Sequence, residues 1–314
     1  MIRVTTPKEL AAALRGVHHE DIQLAHGIYD FGNEECKFRD VDGLNVRPEP
    51  GATAVIVSAG LSFKNAANVQ CSHLHVYNRD PKQPRSERSR CVSIEADSCR
   101  SISIKQSALF WATDQNISVW GDYSREEPNT FGFRNCLIAG GRKRSSHSEG
   151  DRAQGHSMGA IVGNRGIHTY FQECIFAYND DRNPRFQGDV SGTVKNCYVV
   201  HAPIKGITLV RNSSGSPSVD IRSATKVTRL TKTSGDLPAL SQQAPTMIFA
   251  EVLKRVGPRN PQAQVARLVE TLQAGIPWAN DPMTNGLSLP SLAAPEPTAV
   301  ELLEKALKLL KGEA

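Results

Sequence analysis

Short runs of β-branched and aromatic residues recur along the chain at 54–57, 69–76, 91–94, 102–104, 117–119, 131–138, 166–176, 193–200 and 219–221, separated by Asn, Gly, Asp and Ser. They lie too close together for helices to fit between them, which excludes βαβ units. Between these runs no Asn-Gly or Asp-Gly pair marks a tight hairpin, which argues against an antiparallel sandwich. Parallel strands without crossover helices require a solenoid, in which each coil stacks on the last and buries alternate residues. Three runs share one local order, a polar residue and a cysteine before an apolar one: Asn135-Cys136-Leu137-Ile138, Glu173-Cys174-Ile175-Phe176 and Asn196-Cys197-Tyr198-Val199. In a solenoid such positions fall above one another as internal ladders.

Composition agrees with a packed domain. The 314 residues are 39% hydrophobic, enough for a real core. No apolar run is long enough to span a bilayer, so no membrane partner is expected, and the start of the chain carries no apolar signal core. Net charge is +5, which favours anionic partners. The basic residues are not interleaved with aromatics in a stripe, so nucleic acid is not expected. The seven cysteines include no CxxC pair and no metal spacing, and read as small buried hydrophobes.

The organisation divides into four parts. Residues 1–30 read as an N-terminal cap, with Thr6-Pro7-Lys8-Glu9 starting a helix over 8–16, then a strand at 22–24 and a turn over 25–30. Residues 31–230 read as the solenoid. Residues 231–288 carry helical patterns at 246–256 and 261–274 that pack along it. Residues 289–314 are a Pro- and Ala-rich linker and an amphipathic helix at 297–311, which either packs on its own domain or serves self-association or a protein partner. Two polar, basic loops, 79–90 and 140–152, suit an anionic chain, although ordinary mobile loops look the same.

The stretch 171–188 alternates like a strand, breaks at Asn179-Asp180-Asp181, and delivers Arg182 just before Asn183-Pro184. The restriction that proline places on its neighbours predicts an extended Arg182 with its guanidinium pointing outwards.

Three segments together resemble the pectate lyase family of polysaccharide lyases, which are right-handed parallel β-helices. These are Trp111-Ala-Thr-Asp114-Gln-Asn-Ile-Ser-Val-Trp120-Gly121, then Gly155-His156-Ser-Met-Gly with Arg182-Asn183-Pro184, and finally the helical patterns Val252-Leu-Lys-Arg-Val-Gly257 and Ala266-Arg-Leu-Val269. The resemblance implies β-elimination on a uronate polymer, with Arg182 as the base. It implies Asp114 as one ligand of a calcium ion and His156 as a structural or substrate-orienting residue, and Arg185, Arg90 and Lys105 join His156 as candidate substrate contacts. The remaining ligands have gone: Arg90 and Ser118 stand at acidic positions, Lys105-Gln106 replaces an Asp-His pair, Met158 a substrate lysine, and Gln187 a second arginine. One carboxylate is too few for Ca²⁺, which takes about 6–8 oxygens, so no cofactor is expected. Two readings follow. In one, Arg90 and Lys105 supply the charge calcium would have given, and the protein is a Ca²⁺-independent lyase of an acidic polysaccharide. In the other, the fold serves as a glycan-binding or virion structural protein. Either role implies an extracellular or virion-associated setting.

Overall fold

In the computed structural model, residues 1–16, 19–78, 89–124, 129–141, 157–200, 202, 204–222, 227–231, 242–243, 251–252 and 254–257 are described. Every pairing between its strands is parallel, and the chain visits three faces in turn before stepping one coil onward. Face A contains Cys36–Asp42, the first half of Leu61–Ser72, Val92–Glu95, Gln115–Asp122, and the first parts of Met158–Gln172 and Arg185–Lys195, followed by Ile207–Arg211. Face B contains Asp21–Leu24, Asn45–Pro48, Arg100–Lys105, Phe131–Arg134, the later halves of the long strands, and Ser218–Arg222. Face C is the seven-stranded sheet from Gly27–Asp30 to Tyr198–Val200.

Inward residues from all three faces meet along the axis. Phe38 stacks on Phe63 with ring centroids 4.4 Å apart, and Phe133 stacks on Phe171 at 5.0 Å. Phe171, on face B, meets Phe176 of face C and Phe186 of face A edge-on. Aromatic contacts of this kind join the faces as well as successive coils.

The passage from face B to face C is a tight corner of one or two residues that turns on a single left-handed residue. His73, Gln106, Asn135, Glu173 and Asn196 occupy it with φ between 45° and 58°. Each corner N–H donates to the carbonyl one coil on: His73 to Lys105 at 3.1 Å, Gln106 to Arg134 at 2.9 Å, Asn135 to Gln172 at 3.0 Å, Glu173 to Lys195 at 2.8 Å, Asn196 to Arg222 at 2.7 Å. A left-handed φ is disfavoured for branched side chains and best tolerated by Asn and its like. This corrects the expected single strands at 69–76, 131–138, 166–176 and 193–200. Each is two strands folded round a corner, and the buried positions step by three instead of two across it, as from Phe133 to Cys136 and from Phe171 to Cys174. The cysteines after three corners form the expected ladder: Cys136, Cys174 and Cys197 are fully buried, and the Cys174 N–H donates to Cys197 Sγ at 3.4 Å.

The helix at the N-terminus is Pro7–Ala13, shorter than 8–16, and carries the complete Thr6/Glu9 capping box. Its Leu10, with Leu14 just beyond its end, is fully buried in the core cluster at the open end of the first coils. Residues 25–30 are not simply a turn, since Gly27–Asp30 pairs with Ala54–Ser58. At the other end of the chain, Val252 and Val256 pack on the outer side of face C with Trp111 and Tyr77, and Gly257 N donates to Asn135 O at 2.9 Å. Residues 246–250 and 253 of the 246–256 pattern, the expected helices at 261–274 and 297–311, the linker, and most of both basic loops lie outside the described residues. No described helix is long and apolar enough to cross a membrane.

Candidate functional site

The connections from face C to face A are longer than the tight corners between faces B and C, and they bring the candidate residues to one edge. Three asparagines, each fully buried, hold this edge. Asn179 donates to Ile138 O at 3.0 Å and to Asn183 Oδ1 at 3.1 Å, and accepts from Asn116 Nδ2 at 3.1 Å and Gly141 N at 2.9 Å. Asn183 donates to Asn179 O and Lys205 O. Side-chain amides can donate and accept at once, so these three satisfy backbone groups that leave the sheets at the edge. Glycine is needed beside them: a Cβ on Gly159 would stand 2.6 Å from both Arg182 O and Asn183 Oδ1.

On this frame Arg182 is not extended. Its φ is +59°, and the Asn183–Pro184 peptide after it is cis. The guanidinium does not point outwards either. It is 15% exposed, donates to Gln115 Oε1 at 2.6 Å, and lies 3.9 Å from Asp114 Oδ1. The restriction before proline acts on Asn183, and the buried amide bonds turn the residue before it.

Arg90 approaches Asp114 from the preceding coil, at 3.1 Å from Oδ2. Each oxygen of this nearly buried carboxylate therefore faces a guanidinium. A second carboxylate, Asp181, accepts from Arg185 Nη2 at 3.1 Å and from the Arg182 N–H at 2.6 Å, with Lys205 Nζ at 3.8 Å. Arg90, Asp114, Arg182 and Arg185 thus come together at one edge, where with Lys205 four cations share two carboxylates. Such an edge offers positive charge held in place by pairing and part-burial, which strengthens its action on an incoming anion.

Lys105 is elsewhere. It ends a face B strand and donates to Gln70 Oε1 at 2.5 Å, on the corner away from Arg90. The separation follows from coil geometry, since Arg90 enters face A while Lys105 leaves face B. His156 lies outside the described residues.

Sequence reasoning passed over Asn116, Asn179, Gln115, Asp181 and Lys205. Asn179 and Asp181 are visible in the sequence as strand breakers, but Asn116, Gly141 and Lys205, with which they bond or pair, are remote in the chain. Beyond the edge, Trp120 is 38% exposed on face A, and a Cβ on Gly163 would lie 2.1 Å from its ring.

No protein-family model and no curated protein sequence matches the chain. Among solved structures it is similar to a pectate lyase from Paenibacillus sp. 0602, with a TM-score of 0.50 and 11% identity, over 90% of this chain and 93% of that one. It is also similar to a pectate lyase variant from Xanthomonas campestris, with a TM-score of 0.48 and 13% identity, over 86% of this chain and 92% of that one. At such identity the likeness is one of fold, and the shared fold is the parallel β-helix of the pectate lyases.

Proposed function

We propose that this chain, a right-handed β-helical solenoid, acts on an acidic polysaccharide by β-elimination without Ca²⁺. The observation that carries the reading is the charge of the edge: Arg90, Arg182, Arg185 and Lys205 outnumber Asp114 and Asp181. A uronate carboxylate bound there takes the place calcium would have bridged. The donor set does not suit Ca²⁺, because both Asp114 oxygens already face guanidinium groups.

In this reading Arg182 removes the proton on the carbon next to the uronate carboxylate. The electron pair left behind delocalises into that carboxylate as an enolate, which Arg185 and Arg90 stabilise. The pair then forms the carbon–carbon double bond, and the glycosidic carbon–oxygen bond breaks. The departing oxygen keeps its electrons and takes a proton from water. An arginine is protonated at neutral pH, so the rate is expected to rise with alkalinity.

One observation favours the alternative, a glycan-binding or virion structural role without chemistry: Arg182 is already engaged by Gln115. Incubation with a panel of uronate polymers, with and without Ca²⁺, separates the two. Formation of unsaturated product, lost in Arg182→Ala at unchanged binding, supports the lyase. Binding without product from any polymer refutes it.

A further inference from the structure

Face B carries a row of cations that the edge site does not use. The register runs Ser72–Lys105–Arg134–Gln172–Lys195–Arg222, one residue per coil. Arg47 continues it beyond Ser72, because Val46 pairs with Cys71. Coils are about 4.8 Å apart, so the five cations form a line along the axis. No acid interrupts the row itself.

Nearby carboxylates stand to its sides. Asp21 pairs with Arg47 at 3.3 Å, and Asp220 with Arg222 at 3.0 Å. Glu173, in the corner beyond Gln172, accepts from Asn135 and Gln172 and pairs with Arg255 at 3.6 Å. Among the described residues, Lys105, Arg134 and Lys195 make no direct ion pair; the Arg134 charge does act on Glu173, whose carboxyl is held low, against its burial, by hydrogen bonds from Asn135 and Gln172 and then by Arg134 and Arg255.

Like charges directly opposite in a sheet destabilise it, yet Lys105 pairs with Arg134 and Lys195 with Arg222. Face A resolves a comparable conflict by setting Lys64 against Glu95 at 2.8 Å. Beside the row runs a second one, Gln70–Ser103–Gly132–Tyr170–Thr193, in which the Tyr170 ring lies against Gly132 so closely that a Cβ there would be 2.1 Å from it. At the Arg47 end a cavity of about 430 Å³ is lined by Gln23, Arg47, Gln70, His73, Lys105 and Gln106, and also by Glu49, whose carboxylate is paired with Arg3.

We propose that face B is a second binding surface, separate from the Arg182 edge, that holds a strand of acidic polysaccharide along the axis through Arg47, Lys105, Arg134, Lys195 and Arg222. Charge complementarity calls for a polyanion. The amides of Gln23, Gln70, Gln106 and Gln172 both donate and accept, which suits hydroxyl groups, whereas phosphate oxygens require donors alone. The polymer class is that of the proposed function, but the surface does not depend on catalysis.

Co-sedimentation of the full chain with polygalacturonate and with alginate tests it, with single-stranded DNA as competitor. The double variant Arg134→Gln/Lys195→Gln is expected to bind about tenfold more weakly at low salt, with the slope of log affinity against log salt reduced by roughly one to two. Arg134→Lys/Lys195→Arg keeps wild-type binding. Both pairs of side chains point away from the core, and an unchanged melting temperature verifies the fold. Wild-type affinity in the double variant, retention of neither polymer, or DNA that binds as tightly through the same row would each overturn the proposal. Row-dependent binding without unsaturated product leaves it standing while refuting the lyase.

Discussion

The Arg90 guanidinium donates to Asp114 Oδ2 at 3.1 Å from one coil before it, while Arg182, two coils on, stands 3.9 Å from the other oxygen. One carboxylate thus ties two cations across four coils. Asp114→Asn leaves both without it. Breaking a buried pair costs about 3–5 kcal/mol, and the 27% exposure of the Arg90 side chain brings the expected loss nearer ~2 kcal/mol. Urea unfolding measures it. An unchanged midpoint would show that the pairing contributes nothing.

The same pair bears on metal. Added Ca²⁺ is expected to leave the melting temperature of the wild type unchanged. Arg90→Asp sets a second carboxylate beside Asp114, and its melting temperature should rise with millimolar Ca²⁺. A Ca²⁺-dependent rise already present in the wild type contradicts this reading of the site.

Asn179 connects three coils through hydrogen bonds of its side-chain amide, with no water-facing alternative. Asn179→Ala strands the Gly141 N–H and Ile138 carbonyl in the interior, where each unsatisfied group costs about 1–3 kcal/mol. The expected loss is ~3 kcal/mol by denaturant titration, with any activity falling alongside. A loss under about 1 kcal/mol would mean that water reaches these groups.

Gly159→Ala puts a methyl group against the Arg182 carbonyl and Asn183 Oδ1. Backbone cannot yield as a side-chain tip does, so the turn must move, at about 1–3 kcal/mol. Binding of polygalacturonate at the Arg182 edge, measured in a chain lacking the face B cations, should weaken together with stability. Unchanged values in both would show that the turn tolerates displacement.

All seven cysteines are buried. Burial pushes the Cys36, Cys136 and Cys174 thiols well above the ordinary range, and the neighbouring Cys71 adds to the effect at Cys36. The thiolate is the reactive form, so native protein at pH 8 should react with a thiol reagent far more slowly than protein unfolded in guanidinium. Fast stoichiometric labelling of the native state would contradict the ladder.

Much of the coil is legible in the residues. The Asn135-Cys136, Glu173-Cys174 and Asn196-Cys197 pairs mark corners, since a left-handed residue and the small buried residue after it are local requirements. The strand ends at those corners are hard to read within so short an apolar run, because the corner shows only as inward positions stepping by three instead of two, from Cys71 to Leu74, Phe133 to Cys136 and Phe171 to Cys174. Arg182 and Asp114 can be picked out as candidates, but the inward turn of Arg182 cannot. It depends on Gln115 and Asn179, and Gln115 is brought within reach only when coils stack.

By itself the sequence determined that this chain makes short parallel strands in stacked coils, since run length, spacing and corner residues act over a few neighbours. Only the tertiary structure decided which charges meet. Stacking brings Arg90, Asp114, Arg182 and Arg185 to one edge, sends Lys105 to another, and lines it up with Arg134 and Lys195. The reason is that coil length varies: with loops of unequal length between faces, the residue above a given side chain is set by sheet register and not by a constant step along the chain.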